Sequence, residues 1–272
     1  MEYISLGHME RAPLVYSLAM IEFAPVPRMD DFSESIMEAL RSDYPDIDDF
    51  NTPSLKIEVD SATGETKAEH RIVTQWRMNN TEGDFGLVFG KERLVFHTTT
   101  YKTFEKFAEK IKPVIETLFS IASIKFTKNI GIRHIDNIVP IDGYAIRDLI
   151  KSGFLCPQQT ELISDSSRVE FVYRSSIGNL FLRCYELEDH PKVPQDLFPV
   201  ASQLSPSYSL MQPIKQKFVL VDTDHIHIPE KLEPVENVDN IIDTLDKLHK
   251  QNSLGFRSMV EDQAIEIWRK DK

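Results

Sequence analysis

The stretch TKNIGIRHIDNIV, residues 127–139, decides how the rest of the chain is read. It is strand-like, and it follows a long helical pattern. Alternation along it puts Arg133, Ile135 and Asn137 on one face and His134 and Asp136 on the other. Everything before it reads β-α-β-β-β-β-α. From it onward the pattern starts again as β-α-β-β-β-α-α.

Upstream, Pro13 to Val26 is an apolar strand ended by Pro25 and Pro27. Met29 to Ser42 carries Phe32, Ile36, Met37 and Leu40 at helical spacing, with Asp30 and Asp31 at its positive end. Ser54 to Asp60 alternates Leu55, Ile57 and Val59, and His70 to Asn79 is a further strand. Gly83 to Gly90 and Glu92 to Thr98 make a hairpin. A long helix then runs to about Ser123, capped by Thr100 or Thr103. Its apolar stripe includes Phe104, Phe107, Ile111, Val114 and Leu118, and Pro113 is expected to bend it.

Downstream, Gly143 to Lys151 reads as a short helix, and Arg168 to Arg174 with Leu180 to Glu188 as a second hairpin around Gly178-Asn179. Lys217 to Ile228 is a strand, Val235 to Gln251 a helix, and Phe256 to Arg269 a closing helix. Between Glu188 and Gln216 lie Pro191, Pro194, Pro199, Pro206 and Pro213 without periodicity, so this segment is expected to be a long surface loop. The fold class is α+β. Two antiparallel sheet-plus-helix units, residues 1–125 and 126–272, are expected to resemble each other. They are expected to pack as one domain, with their sheets joined into a saddle or partly closed barrel.

With 272 residues, 41% of them hydrophobic, the chain can bury a substantial core. The net charge of −12 disfavours phosphate backbones, and the basic series Lys102, Lys106, Lys110 and Lys112 is interleaved with Glu105, Glu109 and Glu116. Cys156 and Cys184 form no CxxC pair, and Cys184 reads as a buried strand residue. No apolar run spans a membrane and no signal-like segment begins the chain, so a cytoplasmic setting with reduced thiols is expected.

Two polar strands are the places where chemistry could reside. In Asp222-Thr223-Asp224-His225-Ile226-His227, the two carboxylates share one face and the two imidazoles the other. Asp222 with Asp224 could take a hard divalent ion, and His225 with His227 could take zinc, but no third ligand is evident and no metal or other cofactor is expected. On residues 127–139, His134 and Asp136 could form an acid–base pair if a substrate cleft opens beside them. Arg133, His134, Asp136, Asn137 and His249 are the candidate ligand contacts. Asp222, Asp224, His225 and Arg133 are the candidate catalytic group. The bland alternative for both strands is a cross-strand ladder of Arg and carboxylate. His249, near the expected helix end, would then serve the helix dipole, and Trp76 and Trp268 would be packing anchors. GxGxxG, GxxxxGK[ST], GxSxG, HExxH and CxxC are absent.

Several segments together resemble a known group. They are Ala12-Pro13-Leu14-Val15 running into Ile21-Glu22-Phe23, Tyr101 to Phe107 with its long helix, Ile132 to Ile138, and Leu220 to Asp224 followed by Leu248-His249 and Phe256. In order and spacing they are similar to a sporadically distributed prokaryotic family of uncharacterised proteins. Members of that family usually carry an aromatic residue where this chain has His134, so the match departs there. The resemblance implies one shared architecture and no activity. Patchy distribution is typical of accessory genes, such as defence or toxin–antitoxin components. The first expectation is therefore a non-enzymatic accessory protein that binds another protein, one encoded nearby, with a homodimer as a variant. A divalent-metal-dependent hydrolase or nuclease-like effector is the alternative, and a nucleotide or nucleic-acid sensor is the third.

Overall fold

The computed structural model describes residues 9–59, 66–159, 161–204 and 207–269, with backbone alone for 53–59, 66–71 and 207–208. The strands are β1 Leu14–Phe23, β2 Asp46–Val59, β3 Thr66–Asn79, β4 Phe85–Phe89, β5 Arg93–Thr98, β6 Phe126–Ile138, β7 Ser167–Arg174, β8 Asn179–Leu187, β9 Phe218–His227 and β10 Glu233–Pro234. The helices are α1 Met29–Leu40, α2 Phe104–Ile121, α3 Ile146–Leu149, α4 Phe198–Ala201, α5 Ser207–Met211, α6 Val238–Met259 and α7 Asp262–Arg269. The expected alternation of Leu55, Ile57 and Val59 lies outside the described side chains, as does Pro206 outside the described residues.

One antiparallel sheet runs β2-β3-β4-β5-β1-β6-β9-β8-β7, with β10 beside β6. The sheet is open, with β2 and β7 at its edges, and is not a partly closed barrel. The two halves are continuous through the β1–β6 pairing. In each half the first strand is central and the last long strand, β5 or β9, lies beside it. Each half contributes five strands, but β10 has only two residues and the helices of the halves differ, so this order does not by itself establish a duplicated unit.

Helices cover one face. Ala19, Ile21 and Phe23 of β1, Phe96 of β5 and Ile132 of β6 pack under α1, α2 and α6. Thr103 caps α2, its hydroxyl accepting from the Lys106 N–H, a contact worth about 1 kcal/mol. Towards β8, Leu182, Cys184 and Val221 pack with α7 and the end of α6. Gly255 allows that approach, since a Cβ there would stand 2.5 Å from Leu182.

The opposite face overturns one expectation. The Pro-rich segment is no free surface loop. Val193, Leu197, Ala201, Leu204 and Leu210 are buried against Tyr16, Leu18, Val88, Val95, Ile135, Phe218 and Leu220. A half-exposed sheet with an apolar second face needs such a cover. Side chains of the sheet anchor it: Asn137 Nδ2 donates to Lys192 O at 2.9 Å, and Asn79 Nδ2 to Gln203 O at 2.7 Å.

The last helices also differ from expectation. α6 is one helix to Met259, starting from the Asn237 cap. The break comes at Val260, whose backbone pairs with Ile150 instead of continuing the helix. Among the described residues no helix is long and apolar enough to cross a membrane.

Candidate functional site

Alternation along β6 and β9 sends the candidate residues to two sites on opposite faces of the sheet. On the face beneath the Pro-rich cover, Arg133 makes a two-pronged contact with Asp222, Nε to Oδ1 at 2.8 Å and Nη2 to Oδ2 at 2.7 Å. Arg133 also donates to Asp196 of the cover at 2.6 Å. Arg183 of β8 reaches the same Asp222 carboxylate at 3.1 Å, Glu170 at 2.6 Å and Asp224 at 3.5 Å. Asp222 has no solvent exposure, so these guanidinium contacts compensate a fully buried charge. The neighbouring carboxylates raise the Arg133 pKa against the opposing effect of burial. Burial raises Asp224, which Arg133 and Arg183 then partly offset.

The candidate group of Asp222, Asp224, His225 and Arg133 does not converge. His225 lies across the sheet from the other three. Its Nδ1 is 3.3 Å from Leu248 O, and its Nε2 is 3.1 Å from Ser175 Oγ. His227, on the same face, is held by Ile177 O at 2.6 Å and Glu233 at 3.0 Å. Both imidazoles tie the β7–β8 turn and the β10 segment to β9. Among the described residues no group of three or more His, Cys, Asp and Glu side chains is placed to hold a metal ion. Asn137 also leaves the candidate ligand set, because it binds the cover.

The helix face of β6 is different. A cavity of about 230 Å³ opens between β6, β9, the start of α2 and the middle of α6. His134, Asp136 and His249 line it together, so the cleft that an acid–base pair needs is present. His249 is not at a helix end, as the sequence reading had it, but sits mid-helix in α6. A polar row crosses the sheet, with Ser17 of β1 opposite His134 and His134 opposite Thr223 of β9. Ser17 Oγ lies 2.8 Å from His134 Nδ1, and His134 Nε2 lies 3.3 Å from His249 Nδ1. The chain is satisfied when Ser17 donates to His134 and His134 donates onward to His249. Phe104 stacks on the His249 ring at 5.2 Å, and Tyr101 meets the His134 ring at 5.1 Å.

Burial sets the electrostatics here. It holds His134 well below the ordinary imidazole range, with His249 adding to the effect, and takes His249 down to about 4. Both rings are therefore neutral at neutral pH. Burial alone pushes the Asp136 carboxyl up to about 8. Asp136 is 6% exposed, and among the described residues nothing donates a hydrogen bond to its carboxyl. Beside it, Asn252 donates to Ile132 O at 3.0 Å while its own buried Oδ1 has no partner among the described residues.

Ser17, Tyr101, Phe104, Thr223 and Asn252 join the site without having been singled out as contacts. One signal for Asn252 was present. The apolar stripe Ile241, Leu245, Leu248 of α6 continues through Asn252 and Ser253 before Phe256, a polar interruption on a buried face. No family model matches the chain, and no curated protein matches it either.

Proposed function

We propose that the protein binds a small, compact molecule in the cavity between β6, α2 and α6. The observation that carries this reading is Asp136: a largely buried residue whose carboxyl lines a cavity beside two neutral imidazoles, with no hydrogen-bond donor to it among the described residues. Asn252, also in the lining, has its Oδ1 buried without a partner among the described residues, and a buried polar group left unsatisfied costs about 1–3 kcal/mol unless something else binds it. The volume is below the roughly 300–1,000 Å³ of sites for drug-sized molecules, which favours a small ligand. Ala12 is exposed at the cavity lining, and Ala12→Trp should fill its mouth without disturbing the sheet. Ligand-observed NMR against a library of small polar compounds tests the reading. Binders of the wild type should lose their signal with Ala12→Trp. A library in which no compound distinguishes the two proteins contradicts it.

Contact with another protein chain is the second reading, in keeping with an accessory component, and a separate observation favours it. β7 is an edge strand, and its Phe171, Val172 and Tyr173 are exposed. Leu162 and Ile163, in the segment leading to it, are more exposed still. An apolar edge offers unpaired backbone groups and side-chain contacts to an added strand. Light scattering on wild type and Val172→Lys/Tyr173→Lys tests this. A mass above the monomer that the double variant reduces supports it, and a monomer in both contradicts self-association.

The hydrolase alternative built on Asp222 and Asp224 draws no support from the geometry, because both carboxylates are engaged by Arg133 and Arg183. A nucleotide would bring phosphates towards Asp136 in a chain of net charge −12, so the sensor alternative fares better with an uncharged or cationic ligand.

A further inference from the structure

Resting on the small-ligand reading, we infer that the cavity selects a small organic cation, an ammonium or quaternary ammonium, with Asp136 as its buried counter-ion.

The chemistry of the lining favours this class over an anion or a neutral molecule. Among the described lining residues, the sheet contributes one carboxyl and no cationic side chain. Asp136 comes from β6, opposite Leu14 of β1 and Val221 of β9. His134 on its own strand and His249 on α6 are both neutral. Charged side chains lie among the lining residues of the two helices and the approach to α2: Lys102 and Glu105 by α2, Asp246 and Lys250 on α6. Lys250 is engaged by Asp246 at 2.5 Å. The positive end of α2 is already compensated by Glu105, whose carboxylate is lowered by backbone and Thr103 hydrogen bonds. These four charges cancel, so an ionised Asp136 leaves the cavity with one net negative charge. Burial raises the Asp136 carboxyl, and none of these four charges offsets it.

Aromatic groups complete the match. Tyr101, Phe104 and Phe256 border the cavity. Such rings attract a desolvated cation, and quaternary ammonium groups are bound this way. An anion would face Asp136, while Lys102 and Lys250 are balanced by Glu105 and Asp246. A neutral ligand would leave Asp136 protonated, whereas a cation would displace its proton.

Proton displacement makes the inference measurable. Below the Asp136 pKa, each cation bound releases one proton, so affinity rises with pH and levels off above it. Calorimetry on the whole chain would titrate choline, ethanolamine and ethylammonium at pH 6 to 9. Neopentyl carbinol, the uncharged carbon isostere of choline, and propionate serve as comparisons. At least one cation should bind with affinity rising about tenfold per pH unit towards pH 8 and release about one proton at pH 6.5, as judged across buffers. Asp136→Asn should remove both the binding and the slope, and the wild-type pH profile stands even if that variant folds poorly. If the isostere binds as well as choline, if the profile is flat, or if only neutral compounds are displaced by Ala12→Trp, the cation inference is overturned and the cavity reading survives. If nothing of any charge is lost with Ala12→Trp, both fail.

Discussion

Arg133 and His134 are neighbours on one strand, yet they belong to two different kinds of polar site. On the Arg133 side, every strong charge has its opposite: Asp222 lies between two guanidinium groups, and Asp196 and Glu170 complete the set. On the His134 side, the histidines have each other and Ser17, but among the described residues nothing donates to the Asp136 carboxyl or to the buried Asn252 Oδ1. The cover side has unpartnered buried atoms too, at Asn79, His97 and Asn137, but the cavity opens on the His134 side. A closed network of charges holds a structure together. A cavity lined by an unfinished network is where a ligand belongs.

If the Arg133 side is structural, breaking it should cost the most. Asp222→Ala leaves two guanidinium groups facing one another near the sheet, and we expect a loss of about 3–5 kcal/mol in urea unfolding. The cover comes next. Leu204→Ala opens space against the sheet, with an expected loss of about 3 kcal/mol in the same measurement.

The His134 side should respond to pH instead. Asp136 has a folded pKa raised to about 8, so the unfolded chain loses its proton first as pH rises from about 4, and stability falls until about pH 8. Relative to wild type, Asp136→Asn should therefore be more stabilising at pH 8 than at pH 5 by about 3–4 kcal/mol in urea unfolding. The imidazoles act in the opposite sense. His134 and His249, together with His97 of β5, which meets Tyr16 on the other face, have folded values lowered from 6.5, so the unfolded chain takes up protons first as pH falls, and stability is lost below about pH 6.5. Three imidazoles outweigh one carboxyl between pH 4 and 6.5. Their combined contribution should make thermal stability greatest near pH 6.5, with Asp136→Asn flattening the alkaline limb. At the small end, Arg41→Ala removes only the exposed pair with Glu38 and should change stability by less than about 0.5 kcal/mol.

The split between the two faces was legible in the sequence, because a period of two needs no tertiary information. The placement of Arg133 apart from His134, and of Asp222 apart from His225, follows from it. The order of strands and long helices was legible for a similar reason, as in the stripe of α2. The cover was not. Val193, Leu197, Ala201, Leu204 and Leu210 are brought to one surface by short turns rather than a regular period. The α6–α7 break carries no proline, and its cause is a long-range bridge from Val260 to Ile150. The cavity was hidden for the same reason: His249 reaches His134 across 115 residues, and only the packing of α6 on the sheet brings it there.

The contrast between the faces comes down to the state of one carboxyl. A carbon-13 NMR titration of the Asp136 side-chain carboxyl in the ligand-free protein measures it directly. A midpoint near 8 is the expected result, and a midpoint near 4 would contradict a buried, unpartnered acid at the cavity floor.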